Sequence, residues 1–118
     1  MEIKLKKYQE IFIMFLDGEL DLYNAPELEK TFMSLINKKA KYYVLDFEKV
    51  TYIDSSGVGV LLKLNGVAKS MQLKFVLSGV EGEVLNVLKL TNLIQFFPLA
   101  DDYREGIKNI MNGVVDND

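Results

Sequence analysis

Two adjacent hydroxyls, Ser55 and Ser56, stand in the run Asp54-Ser55-Ser56-Gly57-Val58-Gly59, and their type and spacing limit the chemistry open to this chain. A serine nucleophile needs a base beside it, and the sequence contains neither histidine nor cysteine. Every Ser-His-Asp arrangement is therefore excluded, together with Cys nucleophiles, disulfides and the usual zinc ligand sets. A Ser-Lys pair would need a lysine at the same rim, and the nearest in sequence, Lys49, lies on the approach to the loop. Gly57-Val58-Gly59 lacks the lysine and the four-residue interval of a phosphate-binding loop. Asp21, Asp54 and Glu81 are carboxylates on loops of one sheet edge, but their spacing favours neither acid-base work nor a metal. No enzyme activity and no cofactor are expected. Two readings of the serines remain. One of them caps a helix and the other is a small loop residue, or one is a phosphoacceptor. A phosphate adds about −1.5 to −2 charges, and at a helix N-terminus that charge favours the helix. Modification there would change what docks nearby and leave the fold standing.

The elements that must hold these hydroxyls follow from periodicity. An apolar strand from Tyr42 to Phe47 leads into the loop, and a helix is expected from about Ser56 to Lys69 with Val60, Leu61, Leu64 and Ala68 facing the core. Ser55, Val58, Gly59 and Leu62 fall on its other face. Gly57 and Gly59 are poor helix formers, so bare backbone is needed there, for packing on the sheet or for the approach of a partner. Upstream, Glu2 to Lys7 alternates as an edge strand, and Ile11 to Leu16 is apolar throughout, as in a strand covered on both faces. Tyr8-Gln9-Glu10 joins them as a hairpin. Asp17 to Asn24 is expected as a loop. Asn24 with Glu27 makes a capping-box pattern and Pro26 suits a first turn, so a helix runs from there to about Asn37. Leu73 to Leu77 is a further strand, broken at Ser78-Gly79. A helix from Glu83 is ended by Asn92, a residue that tolerates positive φ. Ile94 to Phe97 is expected as a short edge strand stopped by Pro98. Asp101 or Asp102 then caps a last helix carrying Tyr103, Ile107, Ile110 and Met111. The order is ββαβαβαβα: an α/β domain with four helices and a mainly parallel sheet whose first strand is antiparallel.

The chain has 118 residues, 49% of them hydrophobic and 26% charged, with a net charge of −3. It is long enough for one domain on one core, expected over 1–113 with a frayed tail at 114–118. The charge gives no basic face for nucleic acid. No apolar run approaches the roughly 20 residues of a membrane span, and no signal-peptide segment leads the chain; a cytoplasmic location is expected.

The run Asp54 to Gly59, preceded by Leu45-Asp46-Phe47 and Val50-Thr51-Tyr52-Ile53, resembles the phosphorylation-site motif of STAS domains, specifically bacterial anti-sigma-factor antagonists. Gly18-Glu19-Leu20-Asp21 with Asn24-Ala25-Pro26 resembles the family's other signature. So does Leu88 to Leu93, where Asn92 replaces the usual glycine. The similarity runs from about Ile3 to Met111. It implies a partner switch. The unphosphorylated antagonist binds an anti-sigma factor that is also a serine kinase, which releases a sigma factor. The kinase, using its own ATP and magnesium, phosphorylates the second serine of the motif, and a PP2C-type phosphatase restores it. That serine is Ser56. The implied partner-binding residues are Asp21, Asn24, Asp54, Ser55, Gly57, Val58, Gly59 and Leu62. For Asn24 and Asp54 helix capping and loop bracing are rival roles. The alternative within the family is a scaffold that is not phosphorylated, as a subunit of a lipid-transport ATPase or part of a stress-signalling particle. The free protein is expected to be a monomer.

Overall fold

A hairpin opens the chain: β1 (Glu2–Tyr8) pairs antiparallel with β2 (Ile11–Leu20), and Gln9 takes positive φ in the turn. In the computed structural model, which describes residues 1–113, three parallel strands follow: β3 (Tyr42–Ile53), β4 (Lys74–Ser78) and β5 (Leu99–Ala100). They extend one five-stranded sheet in the order β1-β2-β3-β4-β5. Helices α1 (Ala25–Asn37), α2 (Ser55–Met71) and α3 (Gly82–Leu90) contribute to a core with one face of the sheet, and α4 (Tyr103–Met111) packs on the other. The α/β class, the order ββαβαβαβα, the four helices and the antiparallel first strand agree with the sequence. The fraying expected of Val114 to Asp118 lies outside the described residues.

The alternation of β2 explains its unbroken apolar run. Met14 and Leu16 enter the larger core with Leu28, Phe32, Leu61 and Leu64, while Ile11 and Ile13 meet Val44, Val76 and Ile110 under α4. A strand covered on both faces needs apolar residues at every position. Asp102 caps α4 by accepting from the Glu105 N–H at 2.8 Å, and Asn92 closes the region after α3 with φ of 59°.

Three expectations need correction. β2 and β3 continue well past Leu16 and Phe47, as a parallel ribbon pairing Gly18 with Val50 and Leu20 with Ile53. Polar residues at 17, 19, 48 and 49 hide this extension, because they face solvent there. The segment Ile94–Phe96 is a 3-10 turn and the edge strand follows Pro98, whose carbonyl accepts from the Leu77 N–H at 2.9 Å. A proline has no N–H to give a sheet ladder, so it precedes the strand and does not end it. Asn24 occupies the cap position of α1 without capping it: its side chain makes no cap bond, and its Nδ2 donates to the Glu19 carbonyl at 2.8 Å.

Candidate functional site

The β2–β3 ribbon carries the serine loop at its end. Asp54 is the single residue between β3 and α2, and it caps α2: Oδ1 accepts from the Ser56 and Gly57 N–H groups at 2.9 and 3.0 Å. Its Oδ2 accepts from the Leu22 N–H at 3.1 Å. One carboxylate thus satisfies two of the orphan donors at the helix start and ties the loop after β2 to the loop after β3. That loop is braced from within, since Asp21 Oδ1 accepts from the Tyr23 and Asn24 N–H groups, both at 3.0 Å.

The capping question left open by the sequence is answered by Asp54, and neither serine is the cap. Among the described residues no hydrogen bond involves the Ser56 hydroxyl. Ser55 is exposed, and Ser56 is half-buried. It borders an open hollow of about 340 Å³ between α1 and α2, lined also by Leu22, Pro26, Glu29, Lys30 and Lys63. Two lysines therefore stand where the sequence placed none. Lys63 pairs with Glu29 at 3.0 Å, a partly exposed contact worth little in stability.

The two glycines have different reasons. A Cβ on Gly57 would collide with the Leu20 carbonyl oxygen and come within 2.7 Å of Ile53 Cγ1. Residue 57 must be bare because the first turn of α2 lies directly on the ribbon. Open space lies where a Cβ on Gly59 would stand, so its surface is available to a partner. Val58 packs in the core at 6% exposure, so its side chain supports the rim from beneath. Leu62 is exposed.

The rim thus gathers Asp21, Asn24, Asp54, Ser55, Ser56, Gly59 and Leu62, with Gly57 and Val58 below. It also includes three residues that sequence reasoning passed over: Leu22 is 61% exposed, Tyr23 85% and Tyr52 44%. Their signal was an apolar pair, Leu22-Tyr23, set between two Asx residues in a loop with no core position to fill. Exposed aliphatic and aromatic side chains grouped at one edge are what a protein-docking surface needs.

One further acid is buried away from this rim. Asp46, 4% exposed on the α4 side of β3, accepts from the Ser78 hydroxyl at 2.8 Å. Burial pushes its carboxyl above the usual range; the Ser78 hydroxyl and the Glu48 N–H oppose that shift, and the charges of Glu48 and Asp102 add to it.

Residues 2–106 match the STAS domain family. The anti-sigma-B factor antagonist of Listeria monocytogenes is 26% identical over 113 residues, covering 96% of this chain and 94% of that protein. A Thermotoga maritima protein of known structure superposes with a TM-score of 0.82 at 27% identity, over 95% of this chain and 93% of that one. SpoIIAA, an anti-sigma factor antagonist, superposes in its unphosphorylated form with a TM-score of 0.72 at 22% identity, covering 95% and 99% of the two chains. Its phosphorylated form gives 0.71 at the same identity, with 92% and 99% covered. With the family matched over nearly the whole length, and with the ribbon, the Asp54 cap and the serine pair at its rim, this chain belongs to the STAS domain family.

Proposed function

We propose that this protein is an anti-sigma-factor antagonist that acts by binding, without catalysis of its own, and that phosphorylation of Ser56 switches the binding off. The observation that carries the reading is the division of labour at the start of α2. Asp54 does the capping, so the Ser56 hydroxyl is spare, and a phosphate can be added without removing a bond that the helix depends on. The dianion would meet the positive end of α2, which favours it by about 0.3–1 kcal/mol and up to about 2. Lys30 and Lys63 border the same hollow. The docking surface is the rim around it, with Leu22, Tyr23, Tyr52 and Leu62 as apolar contacts and Ser55 and Gly59 as close ones. Asp21, Asn24 and Asp54 hold the loops that present it. A phosphate in its midst opposes docking by repulsion and by the cost of desolvating a dianion.

The partner is an anti-sigma factor with serine-kinase activity, bound when Ser56 is unmodified, so that a sigma factor is released. A PP2C-type phosphatase reverses the modification. The setting is the cytoplasm; among the described residues no helix is long and apolar enough to cross a membrane. The test is phosphorylation by the cognate kinase with ATP, read by intact-mass and peptide mass spectrometry. One phosphate is expected, absent from Ser56→Ala and retained in Ser55→Ala. A phosphate on any other residue would remove the assignment.

A further inference from the structure

The α4 side of the sheet has an opening of its own. α4 packs over β3, β4 and β5, and an open trough runs between it and the hairpin. The β1–β2 register sets Lys4, Lys6 and Tyr8 opposite Phe15, Ile13 and Ile11, which turns those three side chains toward the trough's side of the sheet. Its part beside Tyr8, about 520 Å³, has an apolar floor of Tyr8, Tyr103, Ile107 and Met111, and a rim formed by Arg104 and Lys108. Tyr8 and Met111 are about half exposed, at 47% and 52%. The Arg104 guanidinium is stacked 4.7 Å over the Tyr103 ring, which holds the charge at the edge of the apolar floor. Among the described residues no carboxylate lines this part; the adjoining hollow, which shares Tyr103, holds Glu2, Asp17, Asp46 and Glu48 beside Lys4, Lys6 and Lys49, and Glu10 borders another beside Ile110.

Sign and shape together select an occupant. The whole chain carries −3, so the part of the trough rimmed by Arg104 and Lys108 runs against the overall field. It attracts acidic groups where most of the surface repels them. Its floor is concave and takes protruding apolar side chains, which a flat bilayer surface does not offer. We propose that this trough docks an acidic amphipathic segment of another protein, with apolar side chains on Tyr8, Tyr103, Ile107 and Met111 and carboxylates on Arg104 and Lys108. It lies across the sheet from α1 and α2, so its partner and a partner at the Ser56 rim bind without sharing a surface. The proposal does not depend on the role of Ser56.

The probe is a short synthetic peptide with Leu and Phe at helical spacing and Glu between them; its control has Lys in place of every Glu. Backbone amide shifts by NMR and fluorescence anisotropy follow binding. The acidic peptide is expected to shift the amides of Tyr8, Tyr103, Ile107 and Met111, and the control to leave them still. The exposed-site double variant Arg104→Glu with Lys108→Glu is expected to keep the native circular dichroism and to weaken binding about tenfold or more. Ser56→Asp is expected to change nothing at the trough. Shifts elsewhere, equal binding of the control peptide, or indifference to charge reversal would overturn the proposal. So would a dimer in sedimentation that Met111→Glu abolishes, which gives the trough to a second copy. Binding to anionic vesicles without peptide binding would overturn it equally.

Discussion

Replacing Asp54 by Ala should cost about 1.5–3 kcal/mol, whereas Ser56→Ala should cost less than about 0.5 kcal/mol. The first figure comes from three bonds. Loss of the cap to the Ser56 and Gly57 N–H groups, at 2.9 and 3.0 Å, costs about 1 kcal/mol and up to about 2. The bond from the Leu22 N–H at 3.1 Å adds about 0.5–1.5 kcal/mol, toward the lower end because water can replace the carboxylate at this exposed loop. The attraction between the charge and the helix dipole is already inside the cap value and is not added again. For a domain of this size each kcal/mol shifts Tm by about 4 °C, so Asp54→Ala should melt about 6–12 °C lower. Asp54→Asn keeps an acceptor and loses the charge, and should fall between the two. Urea unfolding at neutral pH, with the slope checked for constancy, measures all three variants. If Ser56→Ala proves as costly as Asp54→Ala, the hydroxyl is capping after all. If Asp54→Ala costs under about 0.5 kcal/mol, the two loops are not joined as described.

The two glycines should separate cleanly. Gly57→Ala drives a methyl into the Leu20 carbonyl and should cost about 3 kcal/mol or more. Gly59→Ala enters open space and should stabilise the free protein by about 0.5–1 kcal/mol; urea midpoints that failed to order the pair this way would refute the packing argument. Asp46 sets a pH dependence. Its folded pKa is raised, so the native state holds the proton more tightly than the unfolded chain. The resulting stability is full below the ordinary carboxylate pKa and is lost as pH rises through the folded value. Asp46→Asn keeps an acceptor for Ser78 and should flatten that fall; identical slopes in the two proteins would contradict it. Tyr43, whose hydroxyl donates to the Ala40 carbonyl at 2.7 Å, has its pKa pushed up to about 12 by burial. Absorbance titration should therefore show one tyrosine that ionises near that pH or only on unfolding, and Tyr43→Phe should remove it.

What the sequence disclosed and what it concealed both have physical reasons. The run Ile11 to Leu16 was readable because both its faces are buried, and α4 was readable because its apolar side recurs at helical spacing beneath an Asp cap. The ribbon beyond Leu16 and Phe47 was not, since Asp17, Glu19, Glu48 and Lys49 look like loop residues and are exposed within strands. A strand of two residues, Leu99–Ala100, carries no period at all, so the apolar run Ile94 to Phe97 reads as the strand and Pro98 as its end, when Pro98 marks the beginning of the strand that follows. At the site, Asp54, Ser55 and Ser56 are all good caps, and only geometry shows which one is used. The pattern at Asn24 and Glu27 located the start of α1 correctly, yet the Asn24 amide is spent on Glu19. Leu22, Tyr23 and Tyr52 went unnoticed because apolar side chains are presumed to point inward until a surface is seen.

A dianion on Ser56 is expected to change docking and leave the scaffold intact. The most direct measurement is the affinity of the cognate anti-sigma factor for this protein with and without stoichiometric phosphate on Ser56, with circular dichroism and melting recorded on the same two samples. A loss of affinity of about tenfold or more, equivalent to about 1.4 kcal/mol, is expected, with helix content unchanged and Tm equal or higher in the modified protein. Equal affinities, or a modified protein that has lost helix, would contradict it.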